Sequence, residues 1–235
     1  VRDEILQRFA IPAERLHVIY NAVDHARFHP KLREEHRTTI RRRYHIPETA
    51  TLLLFVGSGY QRKGLAQTLL ALKEVITSST AKAENFWLLV LGKDKKMAHY
   101  QQFAQKLGIH SRVIFVGPQE EVAPFYGAAD IFVLPTLYDP CPNAALEAMA
   151  SGLPLITSTK SGAAELVSQH QAGLVCDALD IKMLAQHIHT LAELNAHTIL
   201  ANGALQATAE LTQENMVQKL LHLYEYCWQN FSKTL

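Results

Sequence analysis

Cysteine is scarce and widely spaced in this chain. The 235 residues include only Cys141, Cys176 and Cys227, so neither a Cys-x-x-Cys metal or redox site nor a disulfide framework is predicted. The 12 histidines include no His-Glu-x-x-His pattern. We therefore expect no protein-bound metal and no cofactor, and a reducing, cytoplasmic compartment fits best.

An excess of charge of one sign and long hydrophobic runs are also lacking. Lys and Arg number 23 against 22 Asp and Glu, which gives no general case for nucleic acid as a partner. No run approaches the roughly 18 apolar residues of a membrane span. The first ten residues carry charge without the apolar segment of a signal peptide. An apolar fraction of 48% nevertheless supports a real core.

Strand and helix patterns alternate from residue 51 onward. Short apolar runs, typical of strands that are buried on both faces, lie at 51–57, 86–92, 112–117, 131–135, 153–158 and 172–176. Helical spacing separates these runs, and the C-terminal part predicts helices at 180–194, 197–210 and 212–230. This order predicts an α/β fold, a Rossmann-like parallel sheet with helices on both faces, followed by C-terminal helices.

The first fifty residues follow a different pattern. Residues 2–10 resemble the end of a helix, and 16–23 predict a further strand. The basic segment 33–44 leaves three interpretations open, of which a solvated linker helix is favoured. Contact with anionic inner-membrane lipid is the second. Binding of nucleic acid is the least favoured, because no aromatic stacking platform accompanies the basic residues.

The loop after the first strand, VGSGYQRKGL (56–65), has the features of an anion site. Ligands of such sheets bind at the carboxyl ends of the strands. Arg62 and Lys63 are predicted at the start of the next helix, where cations are unfavourable unless an anion binds, so a phosphate is favoured over a solvated pair. The dinucleotide fingerprint fails because Arg62 replaces its third glycine, and no Gly-Lys-Ser/Thr forms a P-loop.

Two carboxylates, Asp139 and Glu147, flank the start of the helix that follows 131–135. Carboxylates accept hydrogen bonds from hydroxyl groups, so two of them suit a sugar or a ribose. The helix start at 143–145 offers free backbone N–H groups between them. Asp139 as an ordinary loop carboxylate or cap, and Glu147 as an exposed helix residue, remain the alternatives.

Several segments carry a family resemblance when taken together. They are VIYNAVDHARF (18–28), RKG (62–64), VIFVG (113–117), FYGAADIFVLPT (125–136) and LEAMASGLPLITS (146–158). In this order and spacing they resemble the retaining glycosyltransferases of family 4, which have the GT-B fold, over nearly the whole chain. YDPCPNAALEA and GSGYQRKG look most like bacterial lipopolysaccharide core glucosyltransferases.

The resemblance implies a division of the chain and a set of roles. Residues 1–28 would be the tail of an N-terminal domain with its hinge, 29–211 the donor-binding domain, and 212–235 a helix that crosses back to the N-terminal domain. Arg62 and Lys63 would bind the donor diphosphate, Glu147 the ribose, and Asp139 the transferred sugar. The further donor-binding positions it implies are Gly57, Ser58, Gly59, Gly117, Gln119, Glu120, Asn143, Ala144 and Ala145.

Two positions depart from the family pattern. Asp139 stands where the family has a glutamate, so its reach is one methylene shorter, and Pro142 has no N–H to donate. Glu165 also matches a family position, for which a structural role near the donor pocket is favoured over direct contact with the donor.

The resemblance also implies an activity for the full-length protein. It would transfer a hexose, with UDP-glucose as the expected donor, to a lipopolysaccharide core or related glycan acceptor bound mainly by the N-terminal domain. The chain by itself is expected to be inactive. A nucleotide-sugar binding module without transfer stays open, as does a transferase with another donor and acceptor, such as those of capsule or exopolysaccharide. Peripheral contact with the inner membrane also stays open.

Overall fold

One parallel sheet organises the chain, of which the computed structural model describes residues 2–78, 85–193 and 197–231. Its six strands lie in the order β3-β2-β1-β4-β5-β6, and every neighbouring pair is parallel. The strands are β1 (Thr51–Val56), β2 (Phe86–Leu91), β3 (Val113–Gly117), β4 (Ile131–Leu134), β5 (Leu155–Ser158) and β6 (Gly173–Cys176). The predicted fold class is confirmed, with each strand within two residues of its predicted bounds.

Helices connect the strands and continue after β6 as far as Phe231. They are α1 (Arg2–Arg8), α2 (Leu32–Arg43), α3 (Tyr60–Lys63), α4 (Leu65–Thr77), α5 (Met97–Lys106), α6 (Ala123–Ala128), α7 (Asn143–Ala150), α8 (Ala163–His170), α9 (Ile181–Glu193), α10 (His197–Thr208) and α11 (Gln213–Phe231). The three predicted C-terminal helices correspond to α9, α10 and α11.

The core lies on both faces of the sheet. Leu52, Leu53, Leu54 and Phe55 of β1 are each 0% exposed. Successive residues of a strand point to opposite faces, so complete burial of all four means that both faces are covered. The uninterrupted apolar runs in the sequence have this origin.

The predicted strand at 16–23 is wrong. This segment has no ladder partner in the part of the chain that the structure describes. It instead meets the C-terminal region: the Val23 N–H donates to the carbonyl of Leu211, between α10 and α11, at 2.7 Å, and the ring of His17 lies 5.8 Å from that of Tyr226 in α11. The segment therefore lies beside α11 rather than in the sheet.

The basic helix α2 is not the solvated linker that the sequence favoured. It packs against α6, and three of its arginines, Arg33, Arg37 and Arg41, bind the carboxylate of Asp130 at 3.0, 2.7 and 2.6 Å. Arg41 is 0% exposed and also donates to backbone carbonyls, including that of Ala50 at 2.9 Å. Spacing of four residues places all three on one helix face, so their charge is directed at one partly buried carboxylate, Asp130.

Candidate functional site

The order of the strands places the candidate site. Strand β1 lies between β2 and β4, so the chain builds outward from β1 in one direction and then from β4 in the other. The loops that follow β1 and β4 therefore leave the same edge of the sheet side by side. Ligands of open parallel sheets bind at such a switch point. Arg62, Lys63 and Asp139 all lie in or just beyond these two loops.

The loop after β1 is shaped by glycines. Gly59 has φ +71° and precedes α3, whose single turn ends at Gly64 with φ +80°. A Cβ at Gly64 would lie 2.1 Å from the Pro135 carbonyl oxygen, so only glycine lets this turn approach the end of β4. A Cβ at Gly57 would meet the Lys63 side chain at 3.4 Å.

Arg62 and Lys63 lie in the single turn α3 and directly precede Gly64, the N-cap of the 13-residue helix α4. Cations are electrostatically unfavourable near the N-terminal end of a helix. The structure therefore keeps the two cations beside the helix start that the sequence predicted, and an anion there stays a prediction. The surroundings of the two side chains add to that prediction.

The structure brings Asp139 together with both cations. Lys63 Nζ donates to Asp139 Oδ2, and Arg62 Nη1 lies 3.1 Å from the same oxygen. The side chains of Lys63 and Asp139 are 11% and 8% exposed, whereas that of Arg62 is 52% exposed. Lys63 is thus held in place by its partner, and Arg62 keeps donors that face solvent.

Backbone contacts fix the loop that carries Asp139. Its N–H donates to the Lys160 carbonyl at 3.2 Å, and its carbonyl accepts from the Gly162 N–H at 2.8 Å. The loops after β4 and β5 are thereby joined. Asp139 Oδ1 also accepts the Cys141 N–H at 3.3 Å, so the loop-carboxylate alternative holds in part. The cap alternative does not hold, because α7 has Pro142 at its N-cap without a side-chain cap hydrogen bond.

Glu147 is held by a buried tyrosine. The hydroxyl of Tyr126, a residue that is 0% exposed, donates to Glu147 Oε2 at 2.7 Å. Burial raises the pKa of Glu147, although the Tyr126 hydrogen bond and the charge of Arg27 act in the opposite direction. Glu147 is itself half-buried, so its reading as an exposed helix residue is wrong. Among the residues that the structure describes, none donates to Oε1, which can therefore accept a further hydrogen bond.

The N-terminus of α7 offers fewer donors than expected. The Ala145 N–H donates to the Pro142 carbonyl at 2.9 Å, so this predicted donor is already engaged. Asn143 Oδ1 accepts Asn21 Nδ2 at 2.7 Å. In the described ranges, the backbone N–H groups of Asn143 and Ala144 have no hydrogen-bond acceptor and remain the available pair.

The predicted base-binding loop lies two strands away from Arg62. Gly117 ends β3 with φ +81°, and its carbonyl accepts the Gly92 N–H at 3.0 Å. Gln119 Nε2 bonds to the Pro118 carbonyl at 2.8 Å, and the Glu120 carbonyl accepts Arg27 Nη2 at 3.3 Å. Neither Gln119 nor Glu120 contacts the charged cluster at Asp139. The predicted residues therefore form two groups along one edge of the sheet.

Sequence reasoning missed several residues around these groups. Tyr20 donates to Glu165 Oε2 at 2.8 Å, which supports a structural role for Glu165. Tyr126 gave no functional signal, because a buried tyrosine in an apolar segment looks like core. Three lysines in the loop after β2 line a cavity of about 630 Å³ that Arg62 shares; they are Lys93, Lys95 and Lys96. Their position after a strand was the signal that could have found them.

No group of three or more His, Cys, Asp or Glu side chains in the described ranges is arranged to hold a metal ion. Within the same ranges, no helix combines the length and the apolar character that a membrane span requires.

Known proteins share both the sequence pattern and the fold. The lipopolysaccharide glucosyltransferase WaaG of Escherichia coli K12 is 32% identical over 139 residues, which cover 59% of this chain and 36% of that protein. A crystal structure of WaaG, described as a glycosyltransferase involved in lipopolysaccharide biosynthesis, has a TM-score of 0.75 at 24% identity, over 91% of this chain and 57% of that one. Anabaena Alr3699/HepE, in a structure with UDP and glucose, has a TM-score of 0.80 at 20% identity, over 96% and 60%.

The two structural likenesses show the fold, since both identities are below 25%. The chain spans about half the length, or less, of the curated relatives that it matches. A family model extends further along this chain than the 139 residues shared with WaaG. The model described as glycosyl transferases group 1 matches residues 36–204, from the basic helix α2 to α10. The chain belongs to the family of group 1 glycosyl transferases.

Proposed function

We propose that the chain is the donor-binding half of a retaining glycosyltransferase that uses UDP-glucose and acts on a lipopolysaccharide core or related glycan. One observation carries the proposal: Arg62, Lys63 and Asp139 meet at the switch point of the sheet. Glu147 lies on the helix that follows the same loop as Asp139. The similarity to WaaG, a lipopolysaccharide glucosyltransferase, supports this choice of sugar and acceptor.

Arg62 and Lys63 bind the donor diphosphate in this proposal. Arg62 is half-exposed and has guanidinium donors to spare, which suits bidentate contact with a phosphate. Transfer breaks the bond between the sugar and the diphosphate, and negative charge develops on the departing oxygen. Fixed cations stabilise that charge, and loss of both would cost several kcal/mol, given about 2.7–4 kcal/mol for one oxyanion donor.

Glu147 and Asp139 bind hydroxyl groups of the donor. Glu147 has one oxygen held by Tyr126, which leaves the other to accept a ribose hydroxyl. The Asp139 carboxylate forms ion pairs with Arg62 and Lys63. A sugar bound to Asp139 would therefore lie next to a diphosphate bound to the two cations. The backbone N–H groups of Asn143 and Ala144 bind diphosphate or sugar oxygens at the start of α7. The nucleobase lies along the loop that holds Gly117, Gln119 and Glu120.

A nucleotide-sugar binding module without transfer is the second candidate. The match to the family of group 1 glycosyl transferases favours transfer over binding alone. Both candidates require the donor site, and they differ in whether a sugar leaves. Transfer measured on the full-length protein separates them.

Calorimetric titration of the chain with UDP, UDP-glucose, ADP and GDP tests the donor site. We expect UDP and UDP-glucose to bind in preference to the other nucleotides, and Arg62→Ala to weaken that binding. Lys106→Ala is the matched control, because Lys106 is an exposed cation at the far end of α5. Equal affinity of the Arg62→Ala variant and the unchanged chain for UDP would show that the diphosphate does not bind at Arg62.

A further inference from the structure

The loop that is proposed to lie along the nucleobase makes few contacts with the rest of the fold. This base loop, residues 118–121, connects β3 to the segment before α6, and three of its four residues are exposed. Gln119 Nε2 donates to the Pro118 carbonyl at 2.8 Å, which is a contact within the loop. Among the residues that the structure describes, Arg27 is the sole residue from another part of the chain that hydrogen-bonds the base loop.

Arg27 contacts both the backbone and a side chain of the base loop. Its Nη2 donates to the Glu120 carbonyl at 3.3 Å and lies 3.4 Å from Glu121 Oε2. The side chains of Arg27 and Glu121 are 41% and 71% exposed, and such an exposed ion pair contributes little. The hydrogen bond to the Glu120 carbonyl is therefore the contact that bears on the position of the loop backbone.

The turn that carries Arg27 is anchored in the core. Asp24 Oδ1 accepts the N–H groups of Ala26 at 3.0 Å and of Arg27 at 3.3 Å, and the Asp24 carbonyl accepts the Phe28 N–H at 2.8 Å. Phe28 is 4% exposed, and its ring meets that of the buried Tyr126 edge-on at 5.6 Å. The Arg27 guanidinium lies 5.3 Å from the centroid of the Phe28 ring, within the range of a cation–π contact. Arg27 thus connects an exposed loop to a fixed turn.

Arg27 is also a neighbour of the carboxylate that is proposed to bind the ribose. Burial raises the pKa of Glu147, and the charge of Arg27 is one of two effects that lower it. The same segment meets the start of α7, where Asn21 Nδ2 donates to Asn143 Oδ1 at 2.7 Å. The ribose and the base of a nucleotide are covalently joined. A residue that neighbours both Glu147 and the base loop therefore lies where the two groups of predicted residues would meet one nucleoside.

The side chains of the base loop offer little with which to distinguish one base from another. The Gln119 amide donates to the Pro118 carbonyl, and the carboxylates of Glu120 and Glu121 can only accept hydrogen bonds. The backbone N–H and carbonyl groups of the loop remain. Every residue type carries these groups, so they distinguish nucleobases only when the loop is held in one conformation.

We propose that Arg27 is a positioning residue, which fixes the base loop through the Glu120 carbonyl and so sets the preference for one nucleobase. The inference rests on the proposed function, because it takes the base of the donor to lie along this loop. Arg27 acts on the loop and does not contact the diphosphate, which binds Arg62 and Lys63 in the proposed function.

Calorimetric titration with UDP, ADP, GDP and inorganic pyrophosphate tests the role of Arg27. Arg27→Ala is expected to reduce the preference for UDP over ADP about threefold to tenfold, as for the loss of one hydrogen bond. Pyrophosphate has no base, so its affinity is expected to change less than about twofold. Arg27→Lys keeps a cationic donor and is expected to recover part of the preference. A purely structural role would instead lower the affinity for all four ligands together.

The matched control is Arg42→Ala, which removes an exposed arginine from α2 and is expected to leave the preference unchanged. Order parameters of the backbone amides of residues 119–121, measured by NMR on the unliganded chain, test the contact itself. They are expected to fall in Arg27→Ala and to stay the same in Arg42→Ala. Equal order parameters in Arg27→Ala and the unchanged chain would show that Arg27 does not hold the loop. Equal losses of UDP and pyrophosphate affinity would assign Arg27 to the diphosphate and overturn the proposal.

The titrations also separate this inference from the proposed function. If the unchanged chain binds no nucleotide, the proposed function fails and the role of Arg27 fails with it. If the chain prefers UDP and Arg27→Ala keeps the same preference, the inference alone is wrong. If the chain prefers ADP or GDP, the proposed donor is wrong, and a fall of that preference in Arg27→Ala would still support Arg27 as the positioning residue. Equal affinity for all three nucleotides would leave no preference for Arg27 to set and would overturn the inference.

Discussion

Two largely buried carboxylates stand at opposite ends of β4, and both are bound by cations. Asp130 directly precedes the strand and binds Arg33, Arg37 and Arg41 of α2. Asp139 follows the strand and binds Arg62 and Lys63. Their side chains are 14% and 8% exposed, so burial alone does not distinguish the two clusters.

The difference lies in the donors that each cluster leaves free. Arg41 is completely buried, and its guanidinium bonds Asp130 and the carbonyls of Ala128, Pro47, Glu48 and Ala50. Arg62 is half-exposed and borders a cavity at the carboxyl end of the sheet. A buried cation whose donors are all engaged has none left for a ligand, whereas a cation with spare donors at a strand end can bind one.

Arg41→Ala is expected to have the largest effect, on stability. The substitution leaves Asp130 with one partner fewer in a buried site and removes the donors to four backbone carbonyls. Removing one member of a buried ion pair costs about 3–5 kcal/mol. The free energy of unfolding, from urea denaturation, measures this loss. Arg42→Ala, at the exposed neighbouring position of α2, is the control and is expected to change stability by less than about 0.5 kcal/mol.

Arg62→Ala is expected to weaken ligand binding while leaving stability nearly unchanged, the opposite of Arg41→Ala. The loss of a charged contact with the diphosphate costs about 1.5–3 kcal/mol of binding free energy, or roughly ten- to hundredfold in affinity for UDP. Stability is expected to change by less than about 1 kcal/mol, because a half-exposed ion pair contributes little. Urea denaturation and UDP titration on the same variant measure both quantities. A large loss of stability with unchanged UDP affinity would make the cluster at Asp139 structural like the one at Asp130.

Asp139→Asn is expected to strengthen UDP binding, whereas Arg62→Ala weakens it. The substitution removes a negative charge from Arg62 and Lys63, so UDP is expected to bind a few-fold more tightly. UDP-glucose is expected to gain less than UDP, because the contact of Asp139 with the sugar is weakened. Titration with both ligands gives the ratio of their affinities. Glu74→Gln on the exposed face of α4 removes the same charge at a distance. An equal gain for UDP and UDP-glucose would contradict the role of Asp139 in sugar binding.

Tyr126→Phe is expected to have the smallest effect at neutral pH and a visible one in acid. Burial raises the pKa of Glu147, so its carboxylate is protonated at a higher pH than an ordinary glutamate, and UDP-glucose affinity falls as the pH drops through that value. The Tyr126 hydrogen bond lowers the pKa of Glu147. Its loss raises the pKa further and moves the acid limb of UDP-glucose binding to higher pH.

The measurement is UDP-glucose affinity across the acid range, since this diphosphate diester does not titrate there. Tyr44→Phe is the control, because Tyr44 packs its ring against Phe125 on another side of α6. An acid limb that stays at the same pH in Tyr126→Phe would show that Glu147 does not accept a hydrogen bond from the donor.

Local patterns accounted for most of the fold. The strands were predictable because a strand buried on both faces must be apolar throughout, which leaves a short uninterrupted run such as TLLLFV in β1. The strand predicted at 16–23 failed for the same reason, since LHVIYNAV is apolar but packs against α11 instead of another strand. An apolar pattern indicates that a segment is buried, but it does not show which element of the fold covers that segment.

The site was predictable in part. Arg62, Lys63, Asp139 and Glu147 were identified from their positions after strands and from the family resemblance. The ion pairs between the first three were not predicted, because 76 residues separate Lys63 from Asp139. The role of Tyr126 beside Glu147 was not predicted either, since its hydroxyl acts across 21 residues inside an apolar segment.

The sequence by itself determined the class of fold, the order of the elements and the loops that carry charge, because these follow from local periodicity and residue type. Only the tertiary structure decided which carboxylate neutralises which cation. Three arginines of α2 form ion pairs with Asp130, and Arg62 and Lys63, which follow β1, form ion pairs with Asp139. The physical reason is that an ion pair forms where the fold places two side chains within about 4 Å, and sequence separation does not report that distance.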